Sequence, residues 1–184
     1  MIRTPQGARD WWRGLVPDQS RPNPSDRAGD RAALARLRRC GSLAEAMQEP
    51  ATIALFRQCG ATDEKDLVAI ALVAAVLAHV RRDQLGERVA RQIGPDSPDK
   101  PETATLKPLR FRRLLEASEP EECLVVFRRL VALAGGEADV ADLSRALFDW
   151  PDPHRGPETK RRWIFTYWNA EPAPPATPVK DTAA

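Results

Sequence analysis

The sequence has few of the residues by which catalytic or secreted proteins are usually recognised. Its 184 residues include only two histidines, one tyrosine and three cysteines. Cys40, Cys59 and Cys123 are odd in number, far apart and set among apolar residues, so neither a disulfide framework nor a metal knuckle is indicated, and a reducing compartment fits. His79 and His154 share no ligand spacing, and His79 falls in an apolar stretch where a satisfied core histidine is expected. There is no glycine-rich phosphate loop, no HExxH and no paired-cysteine motif. Grouped carboxylates, Glu121 with Glu122 and Asp139 with Asp142, stand where helices are predicted to begin and would complement the positive end of a helix dipole. No nucleophile is paired with a base, so the expectation is a protein that is not an enzyme and carries no cofactor and no metal.

Long apolar runs are also missing. The longest stretch rich in apolar residues, 67–80, covers 14 positions, below the roughly 18 to 20 that a bilayer span requires, and reads as a buried core helix. The opening MIRTPQGARDWW lacks the apolar region of a secretion signal, so a cytoplasmic location with no membrane contact is expected. Alternation at strand period and internal repeats are absent. Residues 171–184, EPAPPATPVKDTAA, cannot bury apolar surface and are expected to form a disordered tail.

What is present is helical punctuation, with 42% hydrophobic residues to build a core. Thr4 followed by Pro5 is a helix start, and Ser25 is a candidate cap for a helix carrying Ala28, Leu34 and Leu37 that Gly41 ends. Ser42 with Glu45 forms a capping box, Pro50 opens a further helix, and Thr62 begins the long apolar one, expected to reach about residue 82, with a weaker helical stretch over 84–93. The polar, proline-rich segment 94–105 interrupts the pattern. Beyond it Phe111, Leu114 and Leu115 mark an apolar stripe, Ser118 and Glu121 a second capping box, and Gly135 with Gly136 a helix stop; Asp139 starts another helix, and KRRWIFTYW forms the last. Trp163, Phe165, Tyr167 and Trp168 are assigned to the core. The predicted fold is all-α: two small helical bundles packed together, about eight to nine helices, with an N-terminal bundle over 1–95, a flexible connection over 96–105, a C-terminal bundle over 106–170 and the tail over 171–184.

The formal charge of +2 averages 28 basic residues, 23 of them arginine, against 26 acids, so placement matters more than the total. An arginine-rich composition also follows from a GC-rich genome. Yet arginine recurs as doublets, at 38 and 39, 81 and 82, 112 and 113, 128 and 129, and 161 and 162, each within a predicted helix. Neighbouring helical residues point about 100° apart, so a doublet can set one guanidinium at the edge of the apolar stripe and the other outward. A pooled basic surface would hold a nucleic-acid backbone without reading its sequence. The plainer alternative is a solvated face paired with Glu116, Glu119, Glu121, Glu122 and Asp142.

A tryptophan-bearing first helix followed in order by LARLRRCGSLAEAMQEPA, RFRRLLEAS, VVFRRLVALA, LSRALFDW and KRRWIFTYW is similar to the CasB family, the small subunit of type I-E Cascade, the CRISPR RNA-guided surveillance complex of bacteria. The resemblance covers roughly residues 8–168. It implies a non-catalytic, wholly helical subunit in antiviral defence, present with a second copy of itself beside the backbone subunits and the large subunit. Its basic face would bind the CRISPR RNA and target region and hold the displaced non-target DNA strand, stabilising the R-loop. Carried over by position, the implied nucleic-acid-binding residues are Arg38 and Arg39, Arg110 and Arg113, Arg128 and Arg129, and Lys160, Arg161 and Arg162, with Lys107 added by proximity. The competing expectation is a helical protein–protein scaffold without nucleic-acid contacts. A helix-turn-helix regulator is disfavoured, since no three-helix unit offers base-reading polar residues beyond arginine.

Overall fold

The computed structural model describes residues 5–18, 20, 22–23 and 27–170. The caps expected at Thr4 and Ser25, and the disorder expected of residues 171–184, lie outside it. Ten α-helices are present among the described residues: α1 (Pro5–Leu15), α2 (Arg31–Arg39), α3 (Leu43–Met47), α4 (Pro50–Gln58), α5 (Asp66–Leu77), α6 (Val89–Ile93), α7 (Pro108–Glu116), α8 (Pro120–Leu133), α9 (Val140–Asp149) and α10 (Gly156–Tyr167).

The centre of the molecule is α5. Every residue from 70 to 78 is shut off from solvent, as befits a helix that is apolar all round, and α2, α3, α4, α8 and α9 pack about it. It is shorter than the sequence suggests. It begins at Asp66, because Asp63 takes the Lys65 amide at 3.0 Å in a preceding turn, and it ends at Leu77. Beyond it the amides of Arg81 and Arg82 donate to the Gly136 carbonyl at 2.7 and 3.2 Å. That contact starts a two-residue parallel ladder, β1 (Arg82–Asp83) with β2 (Glu137–Ala138), which is too short to leave a period in the sequence. Gly135 and Gly136 end α8 at φ of 69° and 80°, the left-handed region that favours glycine.

Local polar chemistry sets several helix starts. Ser42 Oγ takes the Glu45 amide while Glu45 takes the Gly41 amide, a capping box shifted by one residue at its return bond. The second helix starts at Arg31, because Asp30 accepts from the Ala33 amide, so Ala28 lies outside it. Pro120 takes the first position of α8; this puts Glu122 in the capping role expected of Glu121, with the Ser118 amide donating to Glu122 and the Leu43 amide to Glu121. Asp139 caps α9 through the Ala141 and Asp142 amides. The stretch over 84–93 is helical only as α6, whose Val89 amide is held by Asp142 at 3.0 Å.

Residues on both sides of the 94–105 segment join one continuous apolar cluster. The segment carries a short 3-10 turn (Pro101–Thr103), a bond from the Asp96 amide to Thr103 Oγ1, and a bond from the Leu106 amide back to the Ile93 carbonyl. Helix α1 lies against α9 and α4. Phe127, Trp150 and Trp163 meet edge to face with centroids 5.0 to 5.7 Å apart.

Candidate nucleic-acid interface

Helices α7 and α8 form a hairpin whose facing sides enclose a cleft of about 600 Å³. Its buried floor is Leu106, Leu114 and Leu130, with Val126 and Leu133 toward the rim. Arg110 and Arg113, one turn apart on α7, and Arg129 on α8 line the same cleft, and all three are exposed. None of the residues lining it is a carboxylate. Acids stand at one end, where Glu116 and Glu122 join Arg113 around an adjoining hollow. Among the described residues no ion pair joins any of the ten predicted basic residues to a carboxylate. A stretch of positive charge over an apolar floor is thus free to meet an outside polyanion.

The structure gives several of the other predicted residues internal partners. Arg128 turns inward: its Nε, Nη1 and Nη2 donate to the carbonyls of Ala75, Cys40 and Leu37 at 3.4, 2.8 and 3.2 Å. It thereby caps the C-terminal ends of α2 and α5 with a positive charge. Arg38 Nε donates to the Ala78 carbonyl at 2.5 Å. Burial, followed by the nearby Arg81, lowers the pKa of Arg38, and burial lowers that of Arg128. Lys160 donates to the Ala117 carbonyl at 2.8 Å and stands 5.5 Å over the Trp150 ring. Lys107 donates to the Glu102 carbonyl.

Arg39 is exposed beside a separate hollow lined by Arg36, Glu45 and Glu49. Arg161 is exposed on α10, and Arg162 is half-buried there. Burial raises the carboxyls of Asp142 and Asp149 on α9 above the usual range, against the charge of Arg162. Three of the ten residues are therefore brought together, and the doublets at 112, 128 and 161 do not merge into one face. Arg113 joins the cleft, while Arg112 lies on the other flank of α7.

Two expectations about neighbouring residues change. His79 is not a satisfied core histidine: its Nε2 is buried without a hydrogen-bond partner. Burial, then the charges of Arg128 and Arg38, push its pKa down to about 4. Phe165 is not in the core but 46% exposed, because it sits about 200° around α10 from buried Trp163. Leu109 and Leu133, outside the expected site, are 62% and 41% exposed; Leu109 stands two positions from Phe111, off the buried stripe, which is the signal that marks it.

No helix among the described residues is long and apolar enough to cross a membrane. The sequence model of the family described as CRISPR-associated protein Cse2 matches residues 33–168. The fold is similar to the crystal structure of TTHB189, described as a CRISPR-associated protein of the Cse2 family from Thermus thermophilus, with 27% identity, 91% of this chain and 99% of that one covered, and a TM-score of 0.62. It is also similar to a chain in the crystal structure of E. coli Cascade bound to a PAM-containing dsDNA target, with 16% identity, 92% and 99% covered, and a TM-score of 0.59. At that identity the second likeness is one of fold alone. No curated protein matches by sequence.

Proposed function

This chain belongs to the family of the CRISPR-associated protein Cse2, and from that premise we propose that it is the non-catalytic small subunit of a type I-E CRISPR RNA-guided surveillance complex. In this reading the cleft between α7 and α8 holds a nucleic-acid backbone, and the strand it holds is the displaced non-target DNA or the guide RNA and target region. Forming an R-loop is a nearly balanced exchange of one duplex for another, so a few phosphate contacts to a displaced strand shift it measurably. The proposed partners are the CRISPR RNA, the two DNA strands, the backbone and large subunits, and a second copy of the chain, all in the cytoplasm.

The single observation that supports the reading is the convergence of Arg110, Arg113 and Arg129 on one cleft, with no carboxylate of the described residues paired to them. A non-catalytic role accords with the thiols. All three are buried, and burial pushes Cys59 and Cys123 up to about 11, away from thiolate chemistry. Filter binding of the full chain to a single-stranded oligonucleotide over a range of salt concentrations tests the proposal. The expected result is affinity that falls steeply as salt rises. A chain that ignores the oligonucleotide at low salt yet still joins its protein partners would be a scaffold instead.

A further inference from the structure

Helix α7 walls a second groove, on the flank away from α8. This groove, about 310 Å³, runs between α7 and α10 and is lined by Leu109, Arg112 and Leu115 of α7 and by Ile164 and Trp168 beside them. Leu109 is 62% exposed and Ile164 40%. Two of the seven large exposed hydrophobics among the described residues thus line it, and the next residue of α10, Phe165, is 46% exposed. Arg161 lies one turn before Ile164 and Phe165 and is also exposed. No lining residue is a carboxylate.

We propose that this groove is a docking site for a protein subunit that inserts a large apolar side chain flanked by carboxylates. Clustered exposed apolar residues mark interaction surfaces on a folded protein. Its tryptophan and arginine, with no lysine, are residue types enriched at the energetic centre of protein interfaces. The two grooves differ in charge. Three arginines line the α8 side and one the α10 side, over linings that are mainly apolar in both. A single arginine neutralises little of a phosphate backbone, and the Trp168 ring is held edge-on to Tyr167 at 5.0 Å and 86°. Arg112, in the lining of the groove, supplies the charge that an acidic rim on the partner would meet. The doublet of Arg112 and Arg113 thus divides between two tasks, since neighbours on a helix point about 100° apart.

The test rests on the functional reading, because its probe is the set of remaining subunits of the same surveillance complex, assembled on guide RNA. The full chain is added as wild type, as Leu109→Glu with Ile164→Glu, or as Arg112→Glu, each checked for unchanged helicity and thermal midpoint. These positions are exposed, so the fold tolerates the changes, and the single charge reversal serves as the second variant. Wild type is expected to join the complex. The double variant should bind at least about tenfold more weakly, and Arg112→Glu should weaken binding in the same direction. Oligonucleotide binding by the isolated chain should stay as in wild type for the double variant.

Variants that join the complex as well as wild type overturn the docking site and leave the functional reading intact. Failure of the wild type to join overturns both. Loss of oligonucleotide binding in the double variant would put nucleic acid in the groove. A wild-type dimer that the same variant converts to monomer would put a second copy there. Tighter binding by a chain ending at Ala170 would assign the groove to the chain's own residues 171–184. Each of these three results overturns the proposal.

Discussion

Arg128 and Arg129 are consecutive on α8, yet Arg128 bonds the carbonyls of Leu37, Cys40 and Ala75 while Arg129 lines the exposed cleft against α7. The first guanidinium reaches across into the N-terminal half and closes two helix ends there. The second has no partner of opposite charge among the described residues. One step of about 100° around the helix separates a group that builds the fold from one that can serve a ligand.

Replacing Arg128 by Ala should therefore act on stability. It removes three charge-assisted hydrogen bonds and leaves part-buried carbonyls at two helix ends, a loss of roughly 2–4 kcal/mol. Arg129→Ala should change stability by less than about 0.5 kcal/mol, as surface substitutions generally do. Urea unfolding of the two variants beside wild type checks the contrast; equal midpoints would mean that the carbonyl contacts contribute nothing.

Affinity should show the opposite pattern. For single strands each neutralised phosphate adds about 0.7 to the slope of log affinity against log salt, so replacing Arg110, Arg113 and Arg129 together by Ala should flatten the slope by about 2. The measurement is filter binding to one oligonucleotide over a series of salt concentrations. A triple variant with the wild-type slope would remove the α7–α8 cleft from any role in holding a backbone.

These contrasts show what could be read from the sequence. Helix stops and starts were legible wherever one residue decides them, as at Gly135, Asp139 and Pro50, and the all-round apolar run of α5 identified the central helix. The C-terminal end of α5 was not legible, because beyond it the Gly136 carbonyl takes the Arg81 and Arg82 amides, a contact between positions far apart in the chain. At the candidate site the doublets were visible but their division was not. Which member turns inward depends on where the carbonyls of α2 and α5 end. Arg110 and Arg113 could be paired from their spacing alone, one turn apart, whereas Arg129 joins them only once α8 folds back on α7.

His79 gives the stability a pH dependence. Its pKa lies at 6.5 unperturbed and is pushed down to about 4 in the folded chain by burial and by Arg128 and Arg38. Between those values the unfolded chain binds a proton that the folded chain does not. The contribution of the neutral ring is thus fully present above 6.5, falls as pH drops through the interval, and levels off below about 4. His79→Gln should remove this component. Denaturant midpoints of wild type and variant, followed from above 6.5 down to about 4, should diverge with pH; a constant difference would rule the histidine out. Taking the difference cancels the opposing trends of buried carboxyls such as Asp142.

Tyr167 links the last helix to both grooves. Its ring stacks on Phe111 of α7 at 3.8 Å and 4°, and its hydroxyl donates to the Leu106 carbonyl at 2.6 Å. Burial pushes the phenol up to about 12, so it remains a donor across the physiological range. Tyr167→Phe keeps the stack and removes only the donor, leaving the Leu106 carbonyl unsatisfied at a cost of about 1–2 kcal/mol. Leu106 is both the floor of the α8 cleft and the lead into α7. The loss should therefore appear first as faster amide hydrogen exchange at residues 110–114, before the global midpoint moves far. If α7 orients both its arginine flank and its apolar flank, the same substitution should weaken oligonucleotide binding and docking to the complex together. Wild-type exchange over 110–114 in the variant would mean that the Phe111 stack alone holds α7 in place.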